Sequence, residues 1–315
     1  MKIIFAGTSE FAVPILKSIA LQSNWDVSLV IAEPAKPAGR KNQLAHSPVA
    51  QAAQELNLKL VTPKSVKDAA DEIRNINPDI MIVVAYGQIL PRDIFDLPKH
   101  KTVNIHPSLL PKLRGSSPIQ TTLAQGLTET GVSLMLIDEK LDHGPIISQE
   151  LLATSEVDNY FTLEKKLADL GAKMIMRDLP RYISGDLKPK PQDDSRATYT
   201  KLIKKEDGRM DWQKMSDENI HNLWRAYIKW PGIFTFFKNK NGQNIRLKLI
   251  QIEKCPTLGV GHNPGEIFSD SSKNLYIACH KGAIKIIKLQ PENSRIISPI
   301  EFLNGYKDVF WQRLC

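Results

Sequence analysis

Residues 2–6 form a short apolar run that ends at Gly7, and the apolar positions Phe11, Ile15 and Ile19 then recur every four residues through 10–21. Such a run followed by such spacing predicts a strand and then an amphipathic helix. The alternation continues with a strand over 27–32 and an Ala-rich helix over 48–56. Residues 80–85 (Ile-Met-Ile-Val-Val-Ala) are continuously apolar, as expected of a strand buried on both faces of a parallel sheet. Further strands are predicted over 102–105, 132–137 and 146–151, and a long helix over 161–183. This order predicts an α/β fold, a parallel sheet with helices on both faces.

Residues 188–195 (Lys-Pro-Lys-Pro-Gln-Asp-Asp-Ser) break the pattern. Two prolines among polar residues cannot continue a helix and predict an extended linker. Beyond it a helix over 217–226, with Ser216 placed to cap it, precedes five short runs at 233–237, 245–252, 265–268, 275–278 and 283–289. Turn residues separate them, which predicts a small OB-like β-barrel. With roughly 150 residues per domain as a prior, the 315 residues divide into a catalytic domain (1–190), a linker (191–205) and a second domain (206–315).

Composition narrows the classes. A chain 42% hydrophobic and 24% charged has ample apolar side chain for a core. No apolar stretch approaches the eighteen or so residues of a membrane span, and Glu10 cuts the first apolar run short of a secretory signal. Cys255, Cys279 and Cys315 are odd in number and widely spaced, which predicts neither a disulfide framework nor a zinc site. The expectation is a soluble cytoplasmic protein with no bound metal. The net charge is +8, and it is unevenly placed: residues 1–199 hold 23 basic and 23 acidic residues, whereas 200–315 hold 19 and 11. A neutral part followed by a basic part suits chemistry beside a polyanion-binding module; a merely solvated basic surface is equally compatible.

The chemistry concentrates between residues 103 and 147. Asn104 and His106 lie at the end of a predicted strand, and period-two alternation points both side chains to one side. The carboxyl ends of parallel strands are where open α/β sheets bind ligands. Asp142 follows the strand over 132–137 after a short turn and is expected to return to the same edge. An amide, an imidazole and a carboxylate together suit acyl transfer to an amine. Asn104 and a protonated His106 would hold the oxyanion that forms on the attacked carbonyl. Asp142 would favour and orient that imidazolium and accept a proton from the incoming ammonium. Taken singly, a strand-end Asn, a lone His and an Asp in a turn are more ordinarily structural.

The sequence Asn104-x-His106 with Ser108-Leu109-Leu110-Pro111, then Asp142 in a Leu-Asp-x-Gly-Pro-Ile setting, resembles the formyltransferases that use 10-formyltetrahydrofolate. Phe5-Ala6-Gly7-Thr8, Val83-Val84-Ala85-Tyr86-Gly87, Arg114-Gly115-Ser116-Ser117-Pro118 and Thr130-Gly131-Val132 strengthen the resemblance. It covers nearly the whole chain, more weakly after the linker. The resemblance implies a Rossmann-like formyltransferase domain in which Asn104, His106 and Asp142 are the catalytic trio. It places the folate against Ser108, Leu109, Leu110 and Pro111 and against Tyr86, Gln88, Ile89 and Leu90. It implies a formyl group passing from 10-formyltetrahydrofolate to the α-amino group of methionine esterified to initiator tRNA, by a monomer acting in translation initiation.

Residues 34–48 form a long polar insert with no evident secondary structure, and long inserts in compact domains are usually functional or disordered. By the resemblance it meets the tRNA acceptor end through Arg40, with Lys41 as its neighbour. His143 stands where relatives commonly carry Thr. The Gly7 region lacks G-x-G-x-x-G, so a nicotinamide cofactor is not expected. Two other functions remain: formyl transfer to a small amine, such as a nucleotide sugar or glycinamide ribonucleotide, and RNA binding without catalysis. The basic second half and the insert favour the tRNA, and the presence of all three polar groups disfavours the binding protein.

Overall fold

The computed structural model describes residues 1–38, 43–306 and 314. Its chain resolves into two compact units, the first comprising residues 1–118, 128–154 and 162–201, the second 119–127, 155–161 and 202–315.

The first unit is built on a seven-stranded sheet. In chain order its strands are β1 (Lys2–Gly7), β2 (Asp26–Ile31), β5 (Leu60–Val61), β6 (Ile80–Val84), β7 (Thr102–His106), β8 (Glu129–Leu136) and β9 (Ile146–Ala153), arranged as β5-β2-β1-β6-β7-β8-β9. From β5 to β7 every pairing is parallel, and all five residues of β6 are buried, as a strand covered on both faces requires. Helices α1 (Val13–Ala20), α2 (Pro48–Glu55), α3 (Ala70–Ile76), α4 (Arg92–Phe95) and α6 (Tyr160–Ile183) belong to this part of the chain. Ser47 caps α2 by accepting the Ala50 N–H at 3.3 Å, with Pro48 in the first helical turn where its missing N–H is harmless. The chain steps from β1 out to β2 and β5 on one side, and through β6 to β7 on the other. The switch point therefore lies between β1 and β6, a place where such sheets bind ligands.

The sheet departs from the expected parallel arrangement at one end. β8 runs antiparallel to β7, with His106 opposite Ser133 and Val103 opposite Leu136, and β9 runs antiparallel to β8. The β8–β9 connection spans residues 137–145, too short for the crossover a parallel pair needs. β9 alternates between half-buried and exposed positions after Ile147, the signature of an edge strand with one wet face. The insert over 34–48 is not without structure either: β3 (Lys36–Ala38) and β4 (Gln43–Ala45) pair as an antiparallel hairpin.

The second unit, considered alone, contains β10 (Ile233–Lys238), β11 (Asn244–Cys255), β12 (Ile267–Ser269), β13 (Leu275–Ala278) and β14 (Ala283–Pro291), with helices α5 (Pro118–Ala124), α7 (Asp217–Tyr227) and α8 (Pro299–Gly305). The strands form one antiparallel sheet in the order β10-β11-β14-β13-β12. Among the described residues β10 and β12 remain its edges, so closure into an OB-like barrel is not seen. The three residues of β12 pair with β13 alone. The unit's core includes Ile220, Leu249, Ile277, Ile286 and the edge-to-face pair Phe237–Phe302. Ser216 accepts the Asn219 N–H at 3.1 Å and caps α7.

Candidate active site

His106 ends β7, buried at 5% exposure. Its Nε2 lies 3.0 Å from the Leu113 carbonyl; a carbonyl only accepts, so Nε2 carries the proton and donates. Nδ1 is then the nitrogen left for chemistry, and it faces Asp142 Oδ2 at 3.6 Å, an ion-pair separation rather than a hydrogen bond. Asp142 Oδ2 accepts the Gly115 N–H at 2.8 Å. Two backbone groups of the segment 113–115 thus hold the imidazole and the carboxylate in mutual register. Asn104, two residues before His106 on the same strand face, is half-buried, and its carboxamide has no hydrogen-bond partner among the described residues.

Asp142 does not arrive by the route its position suggested. Because β8 is antiparallel, the loop 137–145 leaves beside Thr102, whose carbonyl accepts the Ile137 N–H, and rejoins the sheet where Ile146 pairs with Met135. The loop itself bends to bring Asp142 to His106. Its backbone there is left-handed, with φ 48° at Asp142, and Leu113 (59°) and Ala85 (46°) share that conformation. Non-glycine residues held at positive φ store conformational strain and concentrate at functional sites, and these three fall at or near the carboxyl ends of β6 and β7 or on the facing loop.

The structure disperses the residues expected to meet folate. Ile89 is 92% exposed, while Leu109 and Pro111 are half-buried. Leu90 and Leu110 are buried, and the fully buried Ser108 donates its hydroxyl to the Lys112 carbonyl at 2.7 Å. The Gln88 carboxamide accepts the Val66 N–H at 2.8 Å and donates to the Pro63 carbonyl at 3.3 Å. Tyr86 sits in the core with its hydroxyl unpartnered among the described residues, and burial with Glu33 nearby pushes its phenol up to about 12. A buried polar atom without a partner is destabilising by about 1–3 kcal/mol. Tyr86→Phe is therefore expected to raise the melting temperature by roughly 2–4 °C in a thermal denaturation scan. A fall would show that the hydroxyl has a partner in solution.

A cavity of about 390 Å³ adjoins the Asp142 loop, lined in part by Arg92, Phe95, Leu136, Ile137, Asp138 and His143. Most of its lining is charged, with Asp96, Lys101, Glu139 and Lys140 besides Arg92 and Asp138, unlike the mostly apolar sites that take flat heterocyclic ligands. His143 is engaged at both nitrogens, with Asp138 at Nδ1 (2.5 Å) and Asp194 at Nε2 (3.2 Å). Arg40 and Lys41, expected to contact tRNA, lie outside the described residues. Among the described residues no group of three or more His, Cys, Asp or Glu is placed to hold a metal ion, and no helix is long and apolar enough to cross a membrane.

The contacts that sequence reasoning did not single out are mostly backbone: the Leu113 carbonyl and the Gly115 amide. Neither announces itself in a side-chain pattern, although Gly115 lay within the Arg114–Pro118 motif.

Comparison with known proteins gives this geometry a family. Residues 1–179 match the formyl transferase model and residues 202–307 match the formyl transferase C-terminal domain. The chain belongs to the formyl transferase family. Among its curated relatives are the methionyl-tRNA formyltransferase of Myxococcus xanthus, 38% identical over 97% of this chain and 95% of that protein, and that of Kosmotoga olearia, 39% identical over 97% and 96%. Solved structures with the same fold include the N-formyltransferase from Helicobacter canadensis in complex with folinic acid and dTDP-3-aminofucose (TM-score 0.66, 20% identity, 91% of this chain and 98% of that one). HypX from Aquifex aeolicus in complex with tetrahydrofolic acid is also similar (TM-score 0.63, 16% identity); it covers 98% of this chain, which spans about half of that one.

Proposed function

We propose that this chain transfers the formyl group of 10-formyltetrahydrofolate to the α-amino group of methionine esterified to initiator tRNA. The observation that carries this reading is the meeting of His106 and Asp142 beside the unpartnered carboxamide of Asn104. The names of the curated relatives support it, and the crystallographic complexes of similar fold with folates support the donor.

The incoming amine arrives as an ammonium and must lose a proton before it can attack. Asp142 Oδ2 is held by Gly115, while Oδ1 has no donor among the described residues and is free to take that proton. The nitrogen then bonds to the formyl carbon, and the carbonyl oxygen becomes an oxyanion. Asn104 Nδ2 and His106 Nδ1–H are the donors that hold it. When the intermediate collapses, the nitrogen gives up a second proton, the bond from the formyl carbon to the folate N10 breaks, and N10 takes up one of the two protons the amine has released while the other passes to solvent. His106 keeps Nε2 on Leu113 throughout, so the ring does not have to reorient.

The basic excess of residues 200–315 supports a tRNA acceptor over a small amine, because phosphate contacts dominate nucleic-acid affinity. We read the open five-stranded sheet as an OB-like module put to that use, and Arg40 and Lys41 as a second contact with the tRNA. Ser108 to Pro111 and Tyr86 to Leu90 we assign to the walls of the folate site, more by their loops' backbone than by their side chains. By family resemblance the enzyme is a cytoplasmic monomer, with residues 191–205 joining its catalytic and tRNA-binding domains.

With 10-formyltetrahydrofolate, the purified chain is expected to formylate charged initiator tRNA and not free methionine, with a KM for tRNA that rises steeply with salt. Formylation of an amino sugar nucleotide, with none on tRNA, would overturn the acceptor assignment.

A further inference from the structure

The segment that begins at residue 188 does more than connect. Lys190 and Ile146 exchange backbone hydrogen bonds at 2.8 Å, which lays the following residues against the Asp142 loop. Gln192 then makes every bond its carboxamide allows. Its Nε2 donates to the Asp142 carbonyl at 2.9 Å and to the Gly144 carbonyl at 2.8 Å. Its Oε1 accepts from Arg114 Nη2 at 2.7 Å and Nε at 3.1 Å. Two N–H groups and two lone pairs are all matched, and the group is half-buried.

Arg114 is itself fixed. It is 2% exposed, and its guanidinium also reaches Asp194 Oδ1 at 2.8 Å and the Tyr199 hydroxyl at 3.3 Å. Its backbone is laddered to Thr198 and Thr200. The next residue, Gly115, supplies the N–H that holds the Asp142 carboxylate. A closed circuit results: Gln192 ties the main chain of Asp142 to the side chain of Arg114, and the main chain beside Arg114 ties the side chain of Asp142. His143, bonded to Asp138 and Asp194, adds a second tie between the same loop and the same segment.

We propose that Gln192 is a positioning residue for Asp142. By holding the Asp142 and Gly144 carbonyls it fixes a loop whose backbone at Asp142 is left-handed, so that the carboxylate stays against Gly115 and His106. This inference rests on the formyl-transfer reading of the site. Its magnitude follows from the sensitivity of catalysis to placement, where a displacement of about 1 Å lowers rates by roughly 100-fold.

The test compares Gln192→Ala and Gln192→Glu, each in the native background and with Asp142→Ala. Glu keeps an acceptor for Arg114 but has no N–H for the two carbonyls, so it removes the loop contact while Arg114 stays satisfied. Both variants are expected to lower kcat by about 10–100-fold with KM for folate and tRNA within about threefold. In the Asp142→Ala background, followed by single turnover, neither should cause a further loss. An equal loss in that background, or native turnover for Gln192→Glu, would overturn the proposal. Native turnover for Asp142→Ala alone would instead overturn the formyl-transfer reading. Should the Ala variant fail to fold, the Glu variant decides.

Discussion

Asp142→Asn is expected to lower kcat by about 10³-fold while leaving tRNA and folate KM within a few-fold and the melting temperature unchanged. Asn has the same shape, and its carbonyl oxygen can still accept the Gly115 N–H. What it cannot do is take a proton from the ammonium or face His106 Nδ1 with a negative charge. Positioned proton transfer contributes typically 10²–10⁴-fold, so a central loss of 10³ corresponds to about 4 kcal/mol of barrier. Asn104→Ala, which removes one oxyanion donor, should fall in the range of 10²–10³-fold. Steady-state kinetics with charged initiator tRNA as the varied substrate separate the two roles. If Asp142→Asn weakened tRNA affinity as much as turnover, the carboxylate would be a docking group rather than a base.

That Asn104 and His106 share a face was legible from the sequence, because a strand's side-chain period of two does not depend on tertiary context. The buried run now seen as β6 was legible for a similar reason: five consecutive buried apolar residues leave few alternatives. The meeting of Asp142 with His106 was a different matter. It was expected from a short turn after a strand read as parallel, and that route was mistaken, since hydrophobic periodicity does not fix strand direction. The β3–β4 hairpin escaped notice because two strands of three residues are too short to alternate visibly, and prolines within and around them signal loop. The prolines at 189 and 191 did indicate extended backbone. They could not indicate that Gln192, just after them, would find two carbonyls and a buried guanidinium, since those partners come from residues 114, 142 and 144. The open edge of the five-stranded sheet was equally illegible, because strand count alone does not determine closure.

Gly144 offers the largest expected effect of any substitution outside the polar trio. In the sequence Asp142-His143-Gly144 reads only as an ordinary turn. The structure gives a specific reason for the glycine. A Cβ built on Gly144 would lie 2.0 Å from the Leu136 carbonyl oxygen and 2.9 Å from its carbon, both main-chain atoms at the end of β8. Leu136 in turn donates its N–H to the Pro145 carbonyl at 2.9 Å, and Gln192 holds the Gly144 carbonyl. The loop is thus pressed backbone to backbone against the strand, and a methyl group would force the two apart by roughly 1 Å, since overpacked groups are relieved by backbone shifts. Gly144→Ala is accordingly expected to destabilise by about 3 kcal/mol, a fall of roughly 6–10 °C in melting temperature. It should also lower kcat by about 100-fold through the displaced Asp142. Asp142→Asn should touch only kcat, so the pair distinguishes loss of the reacting group from loss of its placement. Gly305→Ala, where nothing lies within 4 Å of the added atom, is the control and should alter neither. Native stability in Gly144→Ala would mean that the loop yields without cost, and placement of Asp142 by its close packing on β8 would then have to be abandoned.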